Sequence, residues 1–234
     1  MSDQNTAPGG YDEFYLRQNP ADQANYARKA RGYRKRMRPL LDGVSVNSCL
    51  DVGCATGLLA YWLRKEVCED VVGVDQDAAL LDIARANVPA RFVLDDAGHY
   101  LATCGRRFDA VFLLNILEHI PHEQVVGFLT SVRNGVNEGG IAIIRTPNLN
   151  CLTGMGHFCE DFTHRTALTE NSLEQIARQA GFSRVEMCNQ FRTRTFTGKI
   201  RACLNWLMHR AVYGLEGGRC PKVFYHNIYA RLYR

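Results

Sequence analysis

Glu118 and His119 stand side by side, and Asp161 and Arg165 flank His164; these are the side chains of this chain best suited to moving a proton. An imidazole titrates near neutrality, so either histidine can take the proton of an acceptor hydroxyl. Asp161, three residues ahead of His164, can orient its ring, and Arg165 can hold an anionic acceptor. The expected roles are His164 as base, Asp161 as its orienter and His119 as part of the pocket, against the plainer reading in which His119 only braces its loop. His99 and His122 have no motif around them and read as surface. A different chemistry attaches to Cys49-Leu-Asp-Val-Gly-Cys-Ala-Thr-Gly57. Leu50 and Val52 read as a buried strand, and Gly53 and Gly57 hinge a turn that opens a helix. Such a turn sets backbone N–H groups and a helix N-terminus beside a ligand, which is where nucleotide-containing cofactors lie. Asp75, at the end of the next apolar run, falls where a carboxylate can reach ribose hydroxyls.

The elements that must position these residues alternate from Ser48 onward, as in a doubly wound parallel sheet. Strands are expected at Cys49–Val52, Asp70–Asp75, Ala90–Leu94, Phe108–Leu114, Ile141–Arg145 and Ser183–Cys188. Helices are expected at Ala78–Ala86, at Glu123–Val136 and from Thr169 to a C-cap at Gly181, with Glu138, Gly139 and Gly140 as a turn. Alternation over Phe224–Tyr233 suggests a last, antiparallel strand. Ahead of the sheet, a helix is expected from Asn19 and Pro20 to about Leu41. Its basic run, Arg28 to Arg38 with Tyr26, Tyr33 and Met37 between, reads either as a solvated face or as a patch for an anionic acceptor. Gly32 and Pro39 weaken it as one unbroken helix. Over Ile200–Leu215, Arg201, Asn205 and His209 recur at helical spacing and the rest is apolar. That pattern reads as core or an acceptor lid, with an interfacial membrane helix as the alternative.

With 46% hydrophobic and 22% charged residues, the 234-residue chain describes one ordinary globular domain. The expected organisation is a mobile segment 1–18 and one domain 19–234, with its core at 45–190 and an elaboration or lid at 191–222 on the acceptor side. Nine cysteines, an odd number without a C-x-x-C pair, point to reduced thiols. No apolar run spans a bilayer and the start is polar, so a cytoplasmic protein is expected. A nicotinamide enzyme would want G-x-G-x-x-G, which the first turn does not supply.

Asp51-Val-Gly53-Cys-Ala55-Thr-Gly57, Val74-Asp75, Leu94-Asp-Asp96-Ala97, Phe108-Asp109 and Asn115-Ile-Leu-Glu118-His119 resemble, in order and spacing, the class I S-adenosylmethionine-dependent methyltransferases. The match covers about residues 45–190. The resemblance implies an α/β fold: a Rossmann-like, doubly wound seven-stranded sheet with an N-terminal helix and a C-terminal helical insertion before the last antiparallel strand. It implies S-adenosyl-L-methionine as cofactor, with Asp51 and the Gly53 turn (Cys54, Gly57) at the methionine part, Asp75 and Gln76 at the ribose, and Asp96 and Ala97 at the adenine edge. Asn115 would border the methyl-transfer pocket. Ala55 departs from the family, which usually has a second glycine there. Thr146-Pro-Asn148, Asp161-Phe-Thr-His164 and Thr169 through Phe182 are similar to bacterial methyltransferases of polysaccharide-biosynthesis gene clusters. This narrower likeness implies O-methylation of a sugar or glycan, with a phenol, a quinone-type molecule or RNA as alternative acceptors. An NAD-dependent oxidoreductase and a non-catalytic cofactor-binding protein rank below these. Glu118, His119 and His164, with Asp161 or Asn115, have the residue types of a divalent-cation site, and the stretch is similar to the Glu-x-x-Glu-His pattern with which some methyltransferases bind a cation; here Asn115, an uncharged and poorer ligand, stands at the first position of that pattern, and no metal is expected.

Overall fold

In the computed structural model, which describes residues 11–188, 196–218, 220–223 and 225–234, the chain divides into two compact units, Met1–Thr103 and Cys104–Arg234. The first unit opens with helices α1 (Tyr11–Gln18) and α2 (Gln23–Met37). Of the segment expected to be mobile, residues 1–10 lie outside the described residues and the remainder is helical. Helix α2 starts at Gln23 rather than at Pro20 because Asp22 caps it, accepting the Asn25 amide at 2.7 Å. Gly32 stays inside α2, and Arg38–Leu41, with Pro39, follow as a tighter 3-10 turn. Tyr26, Ala30 and Met37 are buried along one face of α2. The basic run is partly spent inside the fold: Arg34 pairs through two nitrogens with Glu66, at 2.7 and 2.6 Å, and Arg38 donates to the Glu66 carbonyl at 3.0 Å.

After α2 come β1 (Ser48–Val52), α3 (Leu58–Glu66), β2 (Asp70–Asp75), α4 (Ala78–Asn87), β3 (Arg91–Leu94) and α5 (Ala97–Thr103). β1 is parallel to β2, with Leu50 opposite Val72, and β2 is parallel to β3, with Val74 opposite Val93. The short helix α5 carries no strong apolar period, and the sequence reading missed it.

The second unit contains β4 (Phe108–Leu114), α6 (Val125–Asn134), β5 (Val136–Pro147), α7 (Gly154–Cys159), α8 (Glu170–Gln179), β6 (Arg184–Met187), α9 (Phe196–Leu215) and β7 (Asn227–Tyr233). β4 runs parallel to β5, and β7 lies antiparallel to both β5 and β6. β5 is longer than the expected Ile141–Arg145, because Glu138, Gly139 and Gly140 stay within the strand, across from an irregular register between Phe108 and Ala110. Gly140 is needed there: a Cβ would lie 2.7 Å from the Asp109 carbonyl oxygen. Helix α8 has a reciprocal cap, with the Thr169 hydroxyl accepting the Ser172 amide and the Ser172 hydroxyl accepting the Thr169 amide. The last strand starts at Asn227; Phe224, where it was expected to begin, lies outside the described residues, as do residues 189–195 ahead of α9.

Helix α9 corrects the core reading, because among its twenty residues only His209 is buried. Phe196, Ile200, Leu204, Trp206, Leu207, Met208 and Leu215 are exposed. The strands lie in the order β3-β2-β1 within the first unit and β4-β5-β7-β6 within the second, seven in all with the last one antiparallel, the Rossmann-like α/β arrangement expected.

Candidate active site

The first unit builds a cradle from the end of β1 and the end of β2. Gly53 and Gly57 both take positive φ, 67° and 76°, as the turn requires. The Gly53 and Cys54 amides donate to the Val74 carbonyl at 2.8 and 3.1 Å, which fastens the turn to β2. Asp75 fastens it again: one carboxylate oxygen accepts the Ala55 amide at 2.7 Å and the other the Asp77 amide at 3.0 Å. A Cβ on Gly57 would meet the Phe92 ring at 3.1 Å, so this glycine also permits close packing. Gly73, which the sequence reading passed over, is needed in the same way, since a Cβ there would lie 2.7 Å from the Cys54 sulfur. Gln76 donates to Asp96 at 2.9 Å, and Asp96 accepts the His99 amide at 2.9 Å, close to the start of α5 at Ala97.

Two buried polar atoms of this cradle, Asp51 Oδ2 and Thr56 Oγ1, have no hydrogen-bond partner. Burial, and then the charge of Asp75, push the Asp51 carboxyl up to about 8. A buried carboxylate in that state favours a cationic partner. The α-ammonium of S-adenosylmethionine supplies one, so the residues present fit that cofactor at Asp51. Burial likewise raises Asp75, against the hydrogen bonds from Asp77 and Ala55 that lower it.

The second unit brings Glu118, His119, Asp161 and His164 together. The Glu118 carbonyl accepts the Arg165 and Thr166 amides at 2.6 and 3.0 Å, and the Thr166 hydroxyl donates to the Ile120 carbonyl at 2.7 Å. These bonds hold the 161–166 loop against the turn after β4, and the His119 and His164 rings meet edge to face with centroids 4.8 Å apart. Asp161 does not orient His164 through Nδ1. That nitrogen bonds the Phe158 carbonyl at 2.7 Å, while Asp161 Oδ2 lies 3.9 Å from His164 Nε2. The other Asp161 oxygen accepts from the Thr163 hydroxyl at 2.6 Å, and Thr163 Oγ1 lies 2.9 Å from His119 Nδ1. Burial pushes Asp161 up, but the Thr163 hydrogen bonds, with His119 and His164, outweigh it and hold the carboxyl below the usual range. Burial, and then His164, lower His119.

Glu118 is fully buried; Oε2 accepts from Thr146 at 3.0 Å and Oε1 has no hydrogen-bond partner. Burial pushes its carboxyl up to about 7, against the opposing pull of Thr146 and Arg145. Asn115, at φ 62°, accepts from Arg145 Nε at 2.5 Å. Thr146 lay within a quoted motif without a role, and the Phe158 carbonyl has no side-chain signal that could have pointed to it.

A methyltransferase-domain profile matches residues 22–187, more than half of the chain and including both clusters. The chain belongs to the methyltransferase-domain family. S-adenosylmethionine is accordingly the methyl donor. Two curated relatives of this methyltransferase are ubiquinone biosynthesis O-methyltransferases. The one from Proteus mirabilis is 29% identical over 114 residues, 47% of this chain and 45% of the relative. The one from Azorhizobium caulinodans is 35% identical over 103 residues, 42% of this chain and 40% of the relative. The chain thus spans about half the length of the curated relatives it matches. Among solved structures, a SAM-dependent methyltransferase from Archaeoglobus fulgidus superposes with TM-score 0.67 at 20% identity, covering 95% of this chain and 99% of that one. The plantazolicin methyltransferase BpumL in complex with SAH superposes with TM-score 0.60 at 15% identity, covering 96% and 91%. At these identities the structural likeness speaks for the fold.

Proposed function

We propose that this methyltransferase O-methylates a small hydroxylated aromatic acceptor of the phenol or quinone type. The carrying observation is the exposure of apolar side chains on the segments leading to and carrying His164: Phe162, between Asp161 and Thr163, is wholly exposed at 101%, and Met155 and Leu152 of the preceding segment are exposed as well. Exposed apolar side chains on the segments that carry the polar cluster suit an aromatic ring with one reacting hydroxyl better than a polyhydroxylated sugar. The names of the ubiquinone biosynthesis O-methyltransferases support the same acceptor class. The sugar or glycan reading rests on the Asp161 to His164 likeness alone, and nucleic acid is disfavoured by the ties of Arg34 and Arg38 to Glu66.

The sulfonium donor brings an already activated methyl group, so the chain's own task is alignment, exclusion of water and removal of one proton. An acceptor oxygen pair forms the new C–O bond, the C–S pair stays on sulfur, and the hydroxyl proton leaves. The Glu118, His119 and His164 cluster assists that last loss, and Asp75 holds the cradle turn in shape. Labelled S-adenosylmethionine assayed against catechols, hydroxyquinols, nucleotide sugars and RNA tests the reading: label should enter the phenolic acceptors. In His164→Ala, turnover should fall by roughly a hundredfold or more, with cofactor affinity by calorimetry unchanged. Label entering only sugars or RNA would replace the acceptor class.

A further inference from the structure

We infer that Cys49 and Cys68 form an oxidation site in the first unit, a thiol pair that a small peroxide converts to an intramolecular disulfide. Both are thiols in the fold, Cys49 fully buried in β1 and Cys68 part-exposed in the connection between α3 and β2. Their sulfurs are in contact, with Cys68 Sγ donating to Cys49 Sγ at 3.4 Å. The Cys68 sulfur also reaches the Asp70 carbonyl, at 3.5 Å, at the start of β2. A disulfide needs about 2.0 Å, so the sulfurs have about 1.4 Å left to close. Cys68 lies in no strand or helix, so that approach falls on the connection and leaves the pairing of β1 with β2 in place.

The surroundings divide the roles. Cys68 is the thiol that solvent reaches. The Cys49 thiol beside it lowers its pKa, outweighing burial and the Asp70 charge, and so favours the thiolate, which is the form that attacks an oxidant. Cys49 is then the resolving thiol. In the first step the Cys68 thiolate attacks one oxygen of hydrogen peroxide, an S–O bond forms as the O–O bond breaks, and a sulfenic acid and one water result. In the second, the Cys49 sulfur attacks the Cys68 sulfur, the S–S bond forms, the S–O bond breaks, and the Cys49 proton leaves with that oxygen as a second water. The two thiols lose two electrons between them, and one peroxide takes them up. The new bond closes a loop that contains the 53–57 turn and the whole of α3, so it restrains the unfolded form of the segment that builds the cofactor cradle.

This inference uses the first unit alone and no step of methyl transfer. The test treats the folded full chain with hydrogen peroxide, blocks the remaining thiols and digests it without reductant for mass spectrometry. A peptide pair joined through Cys49 and Cys68 should appear, disappear with dithiothreitol, and be absent from Cys68→Ser. It should persist in Cys159→Ser, which removes an exposed thiol of the second unit. On oxidation the thermal unfolding midpoint should rise in wild type and not in Cys68→Ser. If that variant does not fold, the wild-type peptide map before and after reductant still decides. Cys68 left as a thiol, carried on to a sulfinic acid, or joined to a cysteine other than Cys49 would overturn the site, and a cross-linked chain without the rise in midpoint would overturn its effect on stability.

Discussion

At Ala55 the turn demands a left-handed residue, φ 45°, and the sequence supplies alanine where the family usually has glycine. A left-handed conformation costs a residue with a Cβ about 1–2 kcal/mol, while glycine loses about 0.5–1 kcal/mol of chain entropy and would give up the burial of one methyl, about 0.8 kcal/mol. These nearly cancel, which explains how alanine persists there. Ala55→Gly should therefore move the stability measured by urea unfolding by less than ~0.5 kcal/mol, whereas Ala55→Val, branched at Cβ, should lower it by roughly 1–3 kcal/mol. A large gain in Ala55→Gly would count against this balance. At the same scale, the sequence carried much of the candidate site. His119, Asp161 and His164 were legible by type and spacing, and the fold does bring them together. What sequence could not carry is which oxygen holds each ring, because Phe158 contributes a main-chain carbonyl that any residue would have offered.

Helix α9 marks the limit of reading elements from pattern. Its apolar count is high, but a count does not say whether the element finds a partner surface, and periodicity places its polar residues on one face without saying which face is covered. In the fold the polar face is the anchored one. His209 Nε2 accepts the Leu152 amide at 3.2 Å, and the Tyr213 hydroxyl donates to the Asn150 carbonyl at 3.1 Å. The strands were legible because buried parallel strands are short apolar runs bounded by turns, as at β1, β2 and β4. β5 was truncated because Gly139 and Gly140, which normally announce a turn, here serve a strand irregularity. Leu204, 58% exposed on α9, gives the test of this scale. Leu204→Glu should change stability by less than about 0.5 kcal/mol. A loss of about 2 kcal/mol or more, the cost of breaking a packed core position, would restore the core reading that the fold corrects.

For the whole molecule, the buried carboxylate of Asp51 couples folding to pH. Its carboxyl is pushed up to about 8 in the folded chain by burial and by Asp75, from an ordinary value of 3.8. Between those two values the folded state keeps a proton that the unfolded chain has released. Folded protein thus binds more protons than unfolded, and the linkage makes stability fall as pH rises across that window. The contribution is complete below the unfolded value and lost by the time pH has passed the folded one. Asparagine has no proton to give, so Asp51→Asn should flatten this part of the profile. The measurement is urea unfolding of wild type and Asp51→Asn at about pH 5 and about pH 8. The stability of wild type relative to the variant should be lower at the higher pH, and the difference should shrink when S-adenosylmethionine is added, because its ammonium gives the ionised carboxylate a partner. A wild-type advantage that grows with pH in the cofactor-free protein would mean that Asp51 is already ionised and paired in the fold, and would remove the reason for expecting the cofactor's ammonium at that carboxylate.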